Sequence, residues 1–250
     1  MRLAFAPANS KLSKLEKRLG VKVYSFDMLS GVTCPAARDC KSWAEEHGRG
    51  KRRIRDGKHT EFRCFSASQE VLFTNTYNAR KANMEAALSL AADSPLKCAS
   101  ALVQAIPANA GAVRIHVAGD FKLLSYFDAW LEVCERRPDL RFYAYTKMLS
   151  FWVKRRDVLP PNLALTASRG GRFDHLIDEH GLRESVVVYS AAQARRLRLP
   201  VDSDDHHAYR LRGGSFALLI HGVQPAGSEA GKAVRALRGK GSYSRKTVEV

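Results

Sequence analysis

Two cysteines separated by five residues, Cys34 and Cys40 in GVTCPAARDC, with another following at Cys64 in RCFSAS, are the residue types here best suited to chemistry. Thiolates are soft, charged donors that take zinc or iron–sulfur clusters, and a pair on one short loop lowers the entropic cost of gathering ligands. A zinc ribbon would want a second tight pair, but Cys64, Cys98 and Cys134 each stand alone. Cys98 and Cys134 lie among helix-patterned apolar residues and read as small buried hydrophobes. The loop is therefore either a metal site interrupted by an insertion or a set of unrelated thiols.

A second group is His116, Asp120, Lys147, Ser168, Arg169 and His221. Carboxylate, lysine and histidine together can bind a divalent metal or an anionic substrate, and metal-dependent phosphoryl transfer can be built from them, although no nuclease spacing is present. Ser168 and Arg169, followed by two glycines, suit a phosphate or carboxylate. The plainer alternatives are a core histidine at His116, a turn or helix cap at Asp120, and a simple turn at 168–171. DSDDHHAYR (202–210) contains metal-ligand types but also describes a solvated loop.

These residues need elements to hold them. Apolar runs rich in β-branched and aromatic residues recur at 21–26, 113–120, 141–147, 162–168, 185–190 and 215–222, and helical patterns lie between, at 69–92, 124–137 and 150–156 among others. That alternation predicts an α/β fold of six parallel strands with right-handed crossovers, either an open sheet or a partial (βα)6 TIM-like barrel. Both gather ligand chemistry at the carboxyl ends of the strands, where Cys34, Asp120, Lys147, Arg169 and His221 fall. The expected organisation is one α/β domain over 1–230, a basic insertion at about 41–63, and a basic tail over 231–250.

The chain has 250 residues, 45% of them hydrophobic, and a formal charge of +16. Such an excess attracts polyanions, so DNA or RNA is a candidate partner, and HGRGKRRIRDGKH (47–59) is the densest basic stretch. No run of 18 apolar residues and no secretory leader is seen, which together read as a cytoplasmic protein without a membrane partner.

The segments KLSKL, YSFDMLSGVTCPAARDC, RCFSAS, VRIHVAGDF, YFDAWLEV, FYAYTK, ASRGG and IHGVQPAGS, in that order from Lys11 to Ser228, resemble the phage gene-product-eighty-eight family of bacteriophages and mobile elements. The resemblance implies a Cys-Pro-led metal set of Cys34, Cys40 and Cys64, the last followed by an aromatic residue. The wider layout is similar to the radical S-adenosylmethionine superfamily, which implies a [4Fe-4S] cluster with Gly119 and Asp120 holding the methionyl group and Lys147 and Arg169 orienting an anionic substrate. That superfamily usually has three and then two residues between its cysteines, where this chain has five and twenty-three. A non-catalytic DNA- or RNA-binding protein with a structural cluster or zinc is the alternative function.

Overall fold

The computed structural model describes residues 3–238. The strands among them are β1 (Ala6–Pro7), β2 (Lys22–Phe26), β3 (Ser42–Glu46), β4 (Arg52–Asp56), β5 (Ala110–Ile115), β6 (Arg141–Thr146), β7 (Leu163–Ser168), β8 (Glu184–Val188) and β9 (Phe216–Leu219). The helices are α1 (Leu12–Leu19), α2 (Phe65–Leu72), α3 (Thr74–Asp93), α4 (Pro95–Ala105), α5 (Leu124–Arg136), α6 (Leu149–Lys154), α7 (His175–His180), α8 (Ala191–Arg196), α9 (His206–Tyr209) and α10 (Glu229–Ala236).

One seven-stranded sheet runs in the order β1-β2-β5-β6-β7-β8-β9. All six expected strands are present, side by side in chain order and parallel. The sheet is open, with β1 and β9 at its edges. Three features correct the expectation. Short β1 joins antiparallel to β2, so the sheet is mostly rather than wholly parallel. The insertion is itself an antiparallel hairpin of β3 and β4. The helix expected over 69–92 is two helices, broken where Phe73 takes extended angles (φ −117°, ψ 101°).

Alternation within the strands builds two cores. Val113 and Ile115 of β5 join Phe142, Ala144 and Leu165 under the helices, whereas Ala112 joins Tyr143, Ala164 and Phe216 on the other face. Trp130 of α5 anchors the larger core, with ring centroids 5.7 Å from Phe26, 6.3 Å from Phe5 and 6.4 Å from Phe142. On the opposite face Leu12 and Leu15 of α1 pack mainly over the first halves of the strands, and α1 ends where Gly20 turns left-handed (φ 70°). The later halves of the strands on that face are left to line a cavity.

The strand expected over 113–120 stops at Ile115 because His116 takes a positive φ of 67° and breaks the ladder. Of the proposed tail, residues up to Ala236 are helical in α10, which Ser228 caps by accepting the Gly231 N–H, and 239–250 lie outside the described residues. No helix among the described residues is long and apolar enough to cross a membrane.

Trp130→Ala removes the ring on which the helix-side core converges. Equilibrium denaturation should show a loss of about 3–5 kcal/mol.

Candidate metal centre and cavity

The loop after β2 carries Cys34 and is stitched to the loop after β5. Asp27 Oδ1 accepts the Val117 and Ala118 N–H groups at 2.7 and 3.3 Å. Thr33 Oγ1 donates to Leu29 O at 2.7 Å and accepts the Asp120 N–H at 3.3 Å. The two loops approach so closely that a Cβ on Gly119 (φ 96°) would stand 2.7 Å from Thr33 Oγ1, so glycine is required there. From the other side Glu70 of α2 accepts Ser30 N–H at 3.0 Å and its hydroxyl at 2.8 Å, and pairs with Arg80 of α3 at 3.0 Å. Burial pushes the Glu70 carboxyl up; Arg80 and the Ser30 bonds oppose that shift.

The hairpin returns the chain to its starting point. Ser42 pairs with Asp56, and Gly57 N–H donates to Lys41 O at 2.7 Å. The Ser42 hydroxyl then joins the two cysteine segments, donating to Cys40 O at 3.4 Å and accepting Cys64 N–H at 2.8 Å. Lys41 Nζ ties the loop down by donating to Gly31 O at 2.6 Å and Cys34 O at 2.7 Å. Cys34, Cys40 and Cys64 consequently line one open cavity of about 170 Å³.

Burial pushes the Cys34 thiol well above its ordinary value, with the Asp120 carboxylate and the other two thiols adding to it. Cys64 is pushed up to about 11, by burial first and then by Cys40. Both are protonated near neutrality and are not activated nucleophiles. Cys98 and Cys134 are fully buried in the helix-side core, as their apolar surroundings suggested.

Gly119, Asp120, His116, Lys147, Ser168 and His221 border the same cavity; Arg169 does not. Most of them are already committed to holding the site together. Asp120, 4% exposed, accepts Thr146 Oγ1 at 2.7 Å, Lys147 N–H at 2.9 Å and Phe121 N–H at 2.8 Å. Burial raises its carboxyl, and the Thr146 bond and these backbone bonds oppose the shift. Lys147 Nζ donates to the carbonyls of Ser168 and Arg169, both at 2.7 Å, and to Ser168 Oγ at 3.1 Å. Arg169 faces away into ion pairs with Glu184 and Asp178.

The His116 ring packs on Phe121 (4.9 Å) and bonds Tyr126 Oη at 3.0 Å; burial and then Arg114 push it down to about 3. His221 packs on Phe65 at 4.7 Å and is pushed down to about 4, chiefly by burial.

Lys11, Arg114 and Tyr145 also border the cavity, and the sequence reading gave them no role beyond their place in the family-like segments. All converge on Asp205, which is fully buried with φ 64°. Lys11 Nζ lies 2.6 Å from its Oδ1, Tyr145 Oη donates to that oxygen at 3.0 Å, and Arg114 Nη1 bonds Oδ2. Burial raises the Asp205 carboxyl, but Arg114 and Lys11 prevail and hold it below the usual carboxylate range. The signal for Arg114 was an arginine between Val113 and Ile115 in a buried strand; Lys11 was marked only by its place in the segment KLSKL.

The other acids of 202–210 are similarly occupied. Asp202 accepts Asp204 and His207 N–H groups, and Asp204 pairs with Arg18. Among the described residues no group of three or more Cys, His, Asp or Glu is placed to hold a single metal ion. In the basic hairpin, Arg53 and Arg55 share Glu45, Arg63 pairs with Asp56, and Arg52 lies over the Tyr77 ring at 4.6 Å.

An open, mostly parallel α/β sheet with a cysteine-lined cavity at its strand ends defines the class of protein. The chain belongs to the bacteriophage Gene product 88 family, whose profile matches residues 3–239. No curated protein and no solved structure matches it.

His116 generates a pH prediction. Its folded value of about 3 lies below an unfolded value of about 6.5, so between the two the unfolded chain binds the extra proton. Its contribution to stability is present above about pH 6.5 and is lost as pH falls towards 3. Over pH 4–6.5 the unfolding free energy of His116→Asn should vary less steeply than wild type, by about one proton, in urea titrations at stepped pH.

Proposed function

We propose that the protein holds an iron–sulfur cluster on Cys34, Cys40 and Cys64 at the mouth of a partial (βα)6 barrel, with the adjoining cavity as the binding chamber for a small molecule. The observation that carries this reading is the closure of the hairpin, through which cysteines separated by five and by twenty-three residues share one cavity wall. Six parallel strands laid down in chain order, with the cysteine loop after the first, support the barrel-like part of the reading.

The donor set fits a cluster. Cys34 and Cys64, whose thiols are pushed up by burial and by neighbouring thiols, become ligands only when a multivalent cation displaces their protons. Around a single zinc ion, with Zn–S of about 2.3 Å, three thiolates would stand within about 4 Å of one another. The three cysteines line one cavity, and in a cluster each thiolate takes its own iron. When bound, a three-cysteine [4Fe-4S] cluster supplies one-electron chemistry and leaves one iron for a chelating small molecule such as S-adenosylmethionine. The chain's own contribution is to hold the site: Gly119 admits the cysteine loop, Asp120 orders Thr146 and Lys147, and Lys147 ties down Ser168.

A second reading, DNA or RNA binding with a structural metal, draws on the hairpin, where Arg49, Lys51 and Lys58 are exposed and stand outside the ion pairs formed by the neighbouring arginines. Exposed cations of this kind suit phosphate contacts.

Anaerobic purification with iron, sulfide and zinc analysis and an absorption spectrum tests the first reading. About four irons and four sulfides per chain are expected, lost in Cys64→Ala and retained in Cys98→Ala. Zinc alone, or no metal, in the wild type would overturn it. Salt-sensitive binding of single-stranded DNA, weakened in Arg49→Ala/Lys51→Ala, would then support the second.

A further inference from the structure

The basic hairpin is fastened to the break between α2 and α3. Its last residue pair, Glu46 and Arg52, meets the start of α3. Glu46 Oε1 accepts the Tyr77 hydroxyl at 3.0 Å, and the Arg52 guanidinium lies 4.6 Å from the Tyr77 ring centroid. Arg52 also donates to Glu70 O at 2.8 Å and to Thr74 Oγ1 at 2.7 Å, two acceptors that flank Leu72 and Phe73 in the chain. The tip of the hairpin, just before Arg52, is itself a hydrogen-bonded turn, in which Lys51 N–H donates to Gly48 O at 2.9 Å and His47 N–H to Lys51 O at 2.8 Å.

At this corner Leu72 is 65% exposed and Phe73 57%. Among the described residues neither joins an apolar cluster. The Phe73 N–H is satisfied by Gln69 O at 2.8 Å, so the backbone of the break is closed while the ring stays in solvent. Arg49 and Lys51, on the adjoining turn, are exposed and form no ion pair among the described residues. The nearby acids are engaged: Glu46 lies 3.5 Å from Lys81 Nζ, and Glu45, which alternation places on the other face of the hairpin, is shared by Arg53 and Arg55.

An exposed ring and an exposed leucine beside unpaired cations fit a polyanion that also offers flat apolar faces. In a duplex the base faces are covered by neighbouring pairs, and phosphates and groove edges are what remain; in a single strand the faces are open to an aromatic side chain. We propose that this corner is a docking site for a single strand of nucleic acid, with Phe73 the platform on which a base stacks and Arg49 and Lys51 the contacts to its phosphates. The proposal rests on the hairpin being a nucleic-acid contact and is independent of the metal that the cysteines hold.

Fluorescence anisotropy with a labelled oligo(dT) of about 15 nucleotides, and with a duplex of the same length, tests it at stepped salt. The wild type should bind the single strand more tightly than the duplex. Phe73→Ala should weaken single-strand binding about tenfold and leave the slope of log K against log salt unchanged. Phe73→Trp, which keeps a flat ring in place, should bind as the wild type does and separates loss of stacking from loss of structure. Arg49→Ala/Lys51→Ala should instead flatten the salt slope by about 1.4. Unchanged single-strand affinity in Phe73→Ala, or duplex binding as tight as single-strand binding, would overturn the proposal; if the salt slope still falls in Arg49→Ala/Lys51→Ala, the hairpin stands as a phosphate contact without a stacking platform. Binding of neither oligonucleotide overturns both the proposal and the hairpin reading beneath it.

Discussion

A twenty-three-residue excursion can separate two members of one site only if its ends are held together, and here the Ser42 hydroxyl does that, between Cys40 O and Cys64 N–H. The entropy of closing a loop rises only slowly with its length, so the excursion costs little more than a short loop would once its base is pinned. The base is pinned several times over. Five antiparallel residue pairs run from Ser42 and Asp56 to Glu46 and Arg52, and Gly57 N–H closes onto Lys41 O. Ala44 is buried with Leu29 and Tyr77, so the hairpin packs against the body of the protein rather than projecting from it. The spacing between the cysteines is therefore loose in sequence and tight in space.

The carboxylates around the cavity show a related economy. Where parallel strands end, backbone N–H groups lose their ladder partners and must find others. Asp27 accepts Val117 and Ala118, Asp120 accepts Phe121 and Lys147, and Glu70 accepts Ser30. Each acid comes from one loop or helix and serves another, or turns back on its own, so the strand-end loops are fixed to one another without forming further sheet. An acid engaged in this way holds the geometry of the site. That is why Asp120, which stands where an acid–base or ligand-holding group would be sought, acts on Thr146 and Lys147.

The arrangement of the sheet was legible because each of its parallel strands is a short apolar run bounded by breakers, and strands in that pattern have few topologies open to them. The grouping of Cys34, Asp120, Lys147, Ser168 and His221 at one mouth followed from their positions at strand ends. The parts that could not be read depend on partners far apart in the chain. Nothing near Lys11 indicates Asp205, and nothing near Arg169 indicates that Glu184 and Asp178 draw it away from the cavity. The break at Phe73 was hidden for a different reason. No Gly or Pro marks it, and α2 is set against the cysteine loop through Glu70 while α3 runs on past Asn83, which bonds Ala4 and the Asp27 carbonyl.

The net charge of +16 illustrates how composition can indicate a partner while concealing where it binds. The densest basic stretch would be the natural place for a polyanion, yet Glu45 and Asp56 pair with three arginines in and beside it, and a fourth is spent on the Glu70 carbonyl, Thr74 and the face of Tyr77. The inward-facing cations are engaged as well, Lys11 and Arg114 with Asp205 and Lys147 with the carbonyls of Ser168 and Arg169, so they act first on the geometry of the strand ends.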